Sequence, residues 1–235
     1  MRTPGERAAT AIVTGGTGGL GAAVTRRFLD ASWRTVVPWH DERELKRLPE
    51  HPLLTLVRAD LFDAASAAAC AESAAADPAA PLAAVVNLVG GFAMGGRVHE
   101  TPVEDFERQL RLNLRPAYLT CQAALPHLIA AGGGSIVCVS SRAALQPFPG
   151  AAGYVTSKAA VLGLVDALAV EYRDDGIRAN AVLPSVIDTP ANRASQPDAD
   201  VERWVKPEQI ADVIFGLCAG AEVVSGAHIP VYGRA

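Results

Sequence analysis

The chain has 235 residues, 50% of them hydrophobic, and 21 Lys and Arg stand against 25 Asp and Glu for a net charge of −4. That length and apolarity suit one folded domain with a large core and exclude intrinsic disorder. The mild negative charge gives no reason to expect nucleic acid or an anionic membrane surface as a partner.

Strand-like and helix-like segments alternate from end to end. Residues 11–14 form an apolar β-rich run, followed by a cluster of glycines and a helix reaching Phe28. Residues 35–37 and 53–57 read as a second and a third strand, the latter running into Arg58, Ala59 and Asp60. An alanine-rich helix spans 63–76, with Asp63 as its N-cap and Pro78 beyond its end. A fourth strand covers 82–88, and a long helix covers 103–131, ended by three glycines. The fifth strand is 135–140, the next helix 154–172, the sixth strand 177–183, the last helix 207–218 and the seventh strand 228–231. Continuous apolar strands alternating with helices predict a seven-stranded parallel sheet covered on both faces, in one domain over 1–235. Ligands of such sheets bind at the carboxyl ends of the strands.

Three groups of residues carry chemistry. Thr14-Gly15-Gly16-Thr17-Gly18-Gly19-Leu20-Gly21 follows the first strand and opens a helix. A glycine turn at a helix N-terminus lets backbone amides and the helix dipole hold a diphosphate. Tyr154 and Lys158 are four apart on one helix, so phenol and ammonium share a face. The ammonium is expected to lower the phenol pKa, making Tyr154 a usable general acid/base. Ser141, just after the fifth strand, would hold the same substrate oxygen. The four cysteines are widely spaced and the five histidines form no i,i+4 pair. They predict no metal site, and the thiols read as small buried hydrophobes in a reducing cytoplasm. The polar segment 1–10 lacks the apolar stretch of a leader, and no apolar run is expected to reach the roughly 20 residues of a membrane helix.

In their order and spacing these motifs resemble the short-chain dehydrogenase/reductase family over nearly the whole chain. The resemblance implies a Rossmann-like doubly wound domain and hydride transfer between a nicotinamide and a small carbonyl or alcohol substrate. It implies Asn113, Ser141, Tyr154 and Lys158 as the catalytic set, with Lys158 also gripping the nicotinamide ribose. It implies cofactor contacts from Gly15, Thr17, Gly18, Gly19 and Leu20, from Trp39 and His40 at the end of strand two, and from Asp60 and Leu61 after strand three. Asn87 and Gly90 in the Asn87-Leu88-Val89-Gly90 motif, together with Pro184, Ile187 and Thr189 after strand six, complete that set. A short substrate loop is expected at about 190–206, with Trp204 as its large apolar group. Arg142, Gln146 and Phe148 after Ser141, and Phe92 and Met94 after strand four, are candidates for a pocket lining, with an ordinary loop as the safer reading. Family members usually pair through the two long helices, whose apolar residues cover more than one stripe, so a homodimer or homotetramer is expected.

Departures from the family pattern are Leu88 and Val89 in the strand-four motif, Ser185 in place of a glycine, and Tyr232 and Arg234 near the C-terminus. At the end of strand two, Trp39 stands where many NAD-using members have an aspartate. With His40 next and Arg43 near, this favours NADP(H), while Asp41 and Glu42 pull towards NAD(H). A non-catalytic nucleotide-binding redox sensor or scaffold is the alternative of another class, but the full set of acid/base residues argues against it. A lyase on the same fold is a third reading; such proteins lose the glycine loop and the lysine, both present here.

Overall fold

The computed structural model describes residues 8–234. The start of the polar segment 1–10, in which no leader was read, therefore lies outside the described residues up to position 7. The strands are β1 (Thr10–Thr14), β2 (Arg34–Trp39), β3 (Leu54–Arg58), β4 (Leu82–Asn87), β5 (Gly134–Val139), β6 (Ile177–Pro184) and β7 (His228–Val231). The helices are α1 (Gly19–Asp30), α2 (Ala64–Ala75), α3 (Val103–Ala130), α4 (Ala152–Glu171), α5 (Pro190–Ser195) and α6 (Pro207–Ala219). Boundaries follow local signals: Asp63 caps α2 by accepting from the Ser66 amide at 2.8 Å, and Gly132 and Gly133 take positive φ after α3.

All seven strands form one parallel sheet in the order β3-β2-β1-β4-β5-β6-β7. Because side chains alternate across a strand, the central strands feed two cores. On one face Ile12, Val85, Ile136 and Cys138 pack with Cys121 and Leu128 of α3 and Val161 and Val165 of α4. On the other, Ala11, Val13, Val86 and Val137 pack with Phe28 of α1 and Ile210 and Ile214 of α6. Strand order reverses between β1 and β4, and a crevice opens there at the carboxyl edge.

One expectation changes: α4, with 20 residues, is long and apolar enough by length and composition to cross a membrane. The run is broken in sequence by Lys158 and Asp166, which is why it did not stand out as a hydrophobic stretch. In the fold, α4 lays Val161, Leu162, Val165 and Leu168 on the sheet, and a helix that is apolar around much of its circumference is typical of a buried layer.

Phe28 is fully buried and meets Trp33 and Phe215 edge-on at ring-centroid distances of 5.4 and 5.1 Å. Phe28→Ala should therefore cost about 3–5 kcal/mol by leaving a cavity between α1, β2 and α6, measured as a lower urea midpoint with an unchanged slope.

Candidate active site

The glycine turn sits at the reversal point. Gly15 has φ +66° and packs so closely on the Leu88–Val89 peptide that an added Cβ would lie 3.2 Å from it. The Gly18 amide donates to the Gly15 carbonyl at 3.0 Å, and Gly18 caps α1 with no side-chain hydrogen bond. The first-turn amides are thus left for an anion. At Gly21 an added Cβ would fall on the Gly15 carbonyl oxygen, so this glycine keeps the turn closed rather than touching a ligand. Thr189 packs over Gly19, where a Cβ would stand 3.0 Å from its Cγ2. A cavity of about 550 Å³ runs from Gly15, Thr17 and Gly18 past Trp39 and His40 to Asp60, Leu61 and Gly90. These groups fit a dinucleotide: an amide-lined turn for its diphosphate and a flat-walled crevice for its adenosine.

At the adenosine end, Trp39 closes β2 and the Arg58 guanidinium of β3 lies 5.9 Å from its ring. Asp60 accepts from the Phe62 amide at 2.9 Å and holds its own turn; Leu61 is buried beside it. Arg43, counted from the sequence as a cation for a 2′-phosphate, is not free: Asp41 takes its Nε at 2.9 Å and its Nη2 at 2.7 Å. The pair lies two residues apart and also caps the 3₁₀ turn Glu42–Arg47, the Arg43 amide donating to the Asp41 carboxylate at 3.0 Å. A residue not singled out from the sequence, Glu44, enters this cavity and accepts from the Thr17 hydroxyl at 2.6 Å.

The strand ends and two helices bring the acid/base residues together. Ser141 stands one residue beyond Ser140, whose hydroxyl donates to the Lys158 carbonyl at 2.7 Å and so docks α4 on β5. The Ser141 hydroxyl accepts from the Ala143 amide at 3.2 Å and acts on the Tyr154 phenol, lowering its pKa against the effect of burial. Phe92 meets the Tyr154 ring edge-on at 5.0 Å. Lys158 is 6% exposed; its Nζ donates to the Val139 carbonyl at 3.1 Å and lies 6.0 Å from the Tyr154 ring centroid. Gly90 backs this cation, since an added Cβ would stand 3.1 Å from Lys158 Nζ and 2.6 Å from Asn113 Oδ1. Asn113 is buried in α3, accepting from the Gly91 amide at 3.0 Å and donating to the Gly91 carbonyl at 3.1 Å.

The electrostatics differ from the sequence expectation. Burial pushes the Tyr154 phenol up, partly offset by the Ser141 hydroxyl, and Lys158 is not among the causes acting on it. Burial also lowers Lys158 to about 8, the neighbouring Cys138 thiol opposing that shift. The ammonium is turned towards the Val139 carbonyl, and burial is the larger influence on the phenol.

Asn87 points inward. Its Nδ2 lies 3.3 Å from Cys121 Sγ and 3.6 Å from Cys138 Sγ, and its Oδ1 lies 3.4 Å from the Thr14 hydroxyl. What β4 offers the cavity is the segment 88–90. Pro184 ends β6. Beyond it, Ile187 bridges to Val205, and Thr189 caps α5 by accepting from the Asn192 amide at 3.3 Å. Trp204 is buried at 8% exposure, so it anchors the substrate loop instead of covering a substrate. The four cysteines are free and buried, and no cluster of three His, Cys, Asp or Glu among the described residues could hold a metal.

The sequence matches the short chain dehydrogenase family over residues 9–200. It is 36% identical to 2-(R)-hydroxypropyl-CoM dehydrogenase of Xanthobacter autotrophicus, over 95% of this chain and 96% of that one. It is 30% identical to the dehydrogenase/reductase SDR family member 4 of Bos taurus, over 95% of this chain and 85% of the relative. The fold superposes on ElxO, solved with NADP bound, with a TM-score of 0.88 at 24% identity, covering 96% of this chain and 98% of that one. The chain belongs to the short-chain dehydrogenase/reductase family, and it is an oxidoreductase of that family.

Lys158→Met tests the buried charge. Below about pH 8 the folded state holds a desolvated ammonium; between there and its ordinary 10.5 only the unfolded chain keeps that proton. Wild-type stability therefore rises across that window as the cost disappears. The methionine variant should be more stable by about 2 kcal/mol at pH 7, allowing for the lost bond to Val139, with the gain shrinking towards pH 10. Thermal melts of both proteins at the two pH values measure it.

Proposed function

We propose that the protein is an NAD(P)(H)-dependent oxidoreductase interconverting a small ketone and its secondary alcohol, with Tyr154 as the general acid/base. The observation that carries the reading is Tyr154 with the buried Lys158 Nζ 6.0 Å from its ring centroid, the cation backed by Gly90 where the glycine-lined crevice ends. The relative from Xanthobacter autotrophicus is by its name a dehydrogenase of a 2-hydroxypropyl compound, a secondary alcohol, which supports the same substrate class.

When bound, the nicotinamide supplies or accepts the hydride. Every other task falls to the chain. The glycine turn and the α1 N-terminus hold the diphosphate. Thr189, packed over Gly19, and the 184–189 segment flank the nicotinamide end. Ser141 donates to the substrate oxygen and stabilises the charge that develops there. Tyr154 gives that oxygen a proton in reduction and removes it in oxidation. Lys158 turns its ammonium to the ribose hydroxyls, and Asn113, fixed on Gly91 and Gln109, holds the adjoining turn of α3. Exposed Phe92, Met94 and Phe148 give the substrate side an apolar wall.

On the cofactor's 2′ position, the argument for NADP(H) rests on Trp39 and His40, because nothing acidic closes β2. Arg43 no longer adds to it, being held by Asp41. Buried free thiols agree with a reducing cytoplasm. Exposed Tyr118 and Ile129 on α3 border an apolar groove with Leu164 and Ala167 of α4. We propose this face as the contact of a homodimer or homotetramer; light scattering at micromolar concentration should give at least twice the 24.4 kDa chain mass, and a monomer would refute it.

A panel of ketones, followed by the absorbance of reduced nicotinamide, tests the activity. Tyr154→Phe should retain the fold and cofactor binding but lose about 10²–10⁴-fold in turnover. Near-native activity in this variant would remove Tyr154 from the mechanism. Since burial raises the phenol, it is protonated and ready to donate at neutral pH. Reduction should hence be nearly flat across neutral pH, while alcohol oxidation should climb as pH rises towards the phenol pKa.

A further inference from the structure

We propose that Glu44 is the residue that sets cofactor choice, turning the site towards the dinucleotide without a 2′-phosphate. The inference rests on the nicotinamide-dependent reading above and reverses the lean towards NADP(H) that Trp39 and His40 suggested. Strand two ends without an acid, but the next element supplies one. Glu44 sits on the 3₁₀ turn Glu42–Arg47 and shares the adenosine end of the cavity with Thr17, Gly18, Trp39 and His40.

Its position is fixed from two sides. The Thr17 hydroxyl donates to Oε2 at 2.6 Å, and Arg47 Nη1 donates to Oε1 at 2.8 Å. The same Arg47 nitrogen donates to the Thr17 carbonyl at 3.1 Å, and Arg26 donates to the Arg47 carbonyl at 2.7 Å. The 3₁₀ turn is thereby strapped to the glycine loop. A carboxylate has about four acceptor positions, and two are taken, so two remain for the hydroxyls of a ribose.

The surrounding charges do not cancel it in favour of a phosphate. Arg47 is committed to Glu44 itself, and Arg43 is committed to Asp41. Among the described cations at this end, Arg26, Lys46 and Arg58 are in no ion pair, and all three are exposed: Arg26 is held by the Arg47 carbonyl, Lys46 lies on the turn and Arg58 lies beyond the Trp39 ring. A phosphate beside Glu44 would meet a half-buried carboxylate, which salt screens less than an exposed one. The Thr17 and Arg47 bonds favour the charged form of Glu44 over the opposing effect of burial, which keeps the repulsion in place at neutral pH.

Binding, not turnover, is the direct test. The wild-type protein should bind NADH about tenfold more tightly than NADPH by titration calorimetry at low salt, the difference narrowing as salt is raised. The fragments 5′-AMP and 2′,5′-ADP should differ in the same direction, locating the discrimination at the adenosine. Glu44→Gln keeps an acceptor for Thr17 and removes the charge; its NADPH affinity should rise by about tenfold and its NADH affinity fall slightly. A melt alongside checks that the variant is folded. Wild-type preference for NADPH, or a ratio unchanged in a folded Glu44→Gln, overturns the proposal. If the wild type binds neither dinucleotide, the proposed function itself fails.

Discussion

A lysine ammonium buried with no carboxylate beside it among the described residues is the constraint around which this molecule is arranged. Lys158 is 6% exposed, and burial depresses its pKa. Such a group persists only where polar atoms are delivered to it from rigid elements. Here the Val139 carbonyl comes from the end of β5. The glycine at position 90 leaves room for it, and the amide of Asn113 fills the remaining space. The helix that carries the lysine is itself fixed by the Ser140 hydroxyl. Shift β5 against α4 by one residue and both the anchor and the hydroxyl pair of Ser141 and Tyr154 are lost.

The same logic extends to the thiols behind the lysine. Thr14, Asn87 and Cys138 lie in register across the ends of β1, β4 and β5, and the Asn87 amide spans Cys121 and Cys138. A polar side chain at this depth needs partners. Soft sulfur acceptors provide them, and one of the two, Cys138, also lies close enough to Lys158 to oppose the effect of burial on it.

What was legible in the sequence is what local geometry dictates. Glycines at a strand-to-helix turn are legible because only glycine tolerates the approach seen at Gly15 and Gly21. Tyr154 and Lys158 are legible because a helix puts positions four apart on one face. The strands emerged to within a residue or two because their apolar runs face two cores. The contacts that escaped are tertiary: Glu44 reaches Thr17 across 27 positions, and no periodicity signals that. Trp204 was read by its size, yet its backbone bond to Val201 and the adjacent Ile187–Val205 bridge draw it inward. The direction of the Lys158 side chain was equally invisible, because helical spacing fixes the face on which a residue lies but not the partner its terminal nitrogen selects. The Asp41–Arg43 pair is different, since its two-residue spacing was there to be read as competition for the arginine.

The Ile187–Val205 bridge also has a meaning for how such a protein changes over time. It joins the two ends of the segment 188–204, and the Asp188 amide reinforces it by donating to the Val205 carbonyl at 2.8 Å. The segment therefore leaves and re-enters the fold at one closed neck, and lengthening or replacing it adds little loop-closure entropy to the rest. The segment is thus a tab tied at its base, with Thr189 resting on Gly19 and Trp204 buried at its far end, while the glycine turn and the buried lysine belong to the sheet's own frame. Insertions between residues 190 and 203 would therefore lengthen a stretch of surface while leaving the neck, and the sheet to which it is tied, in place.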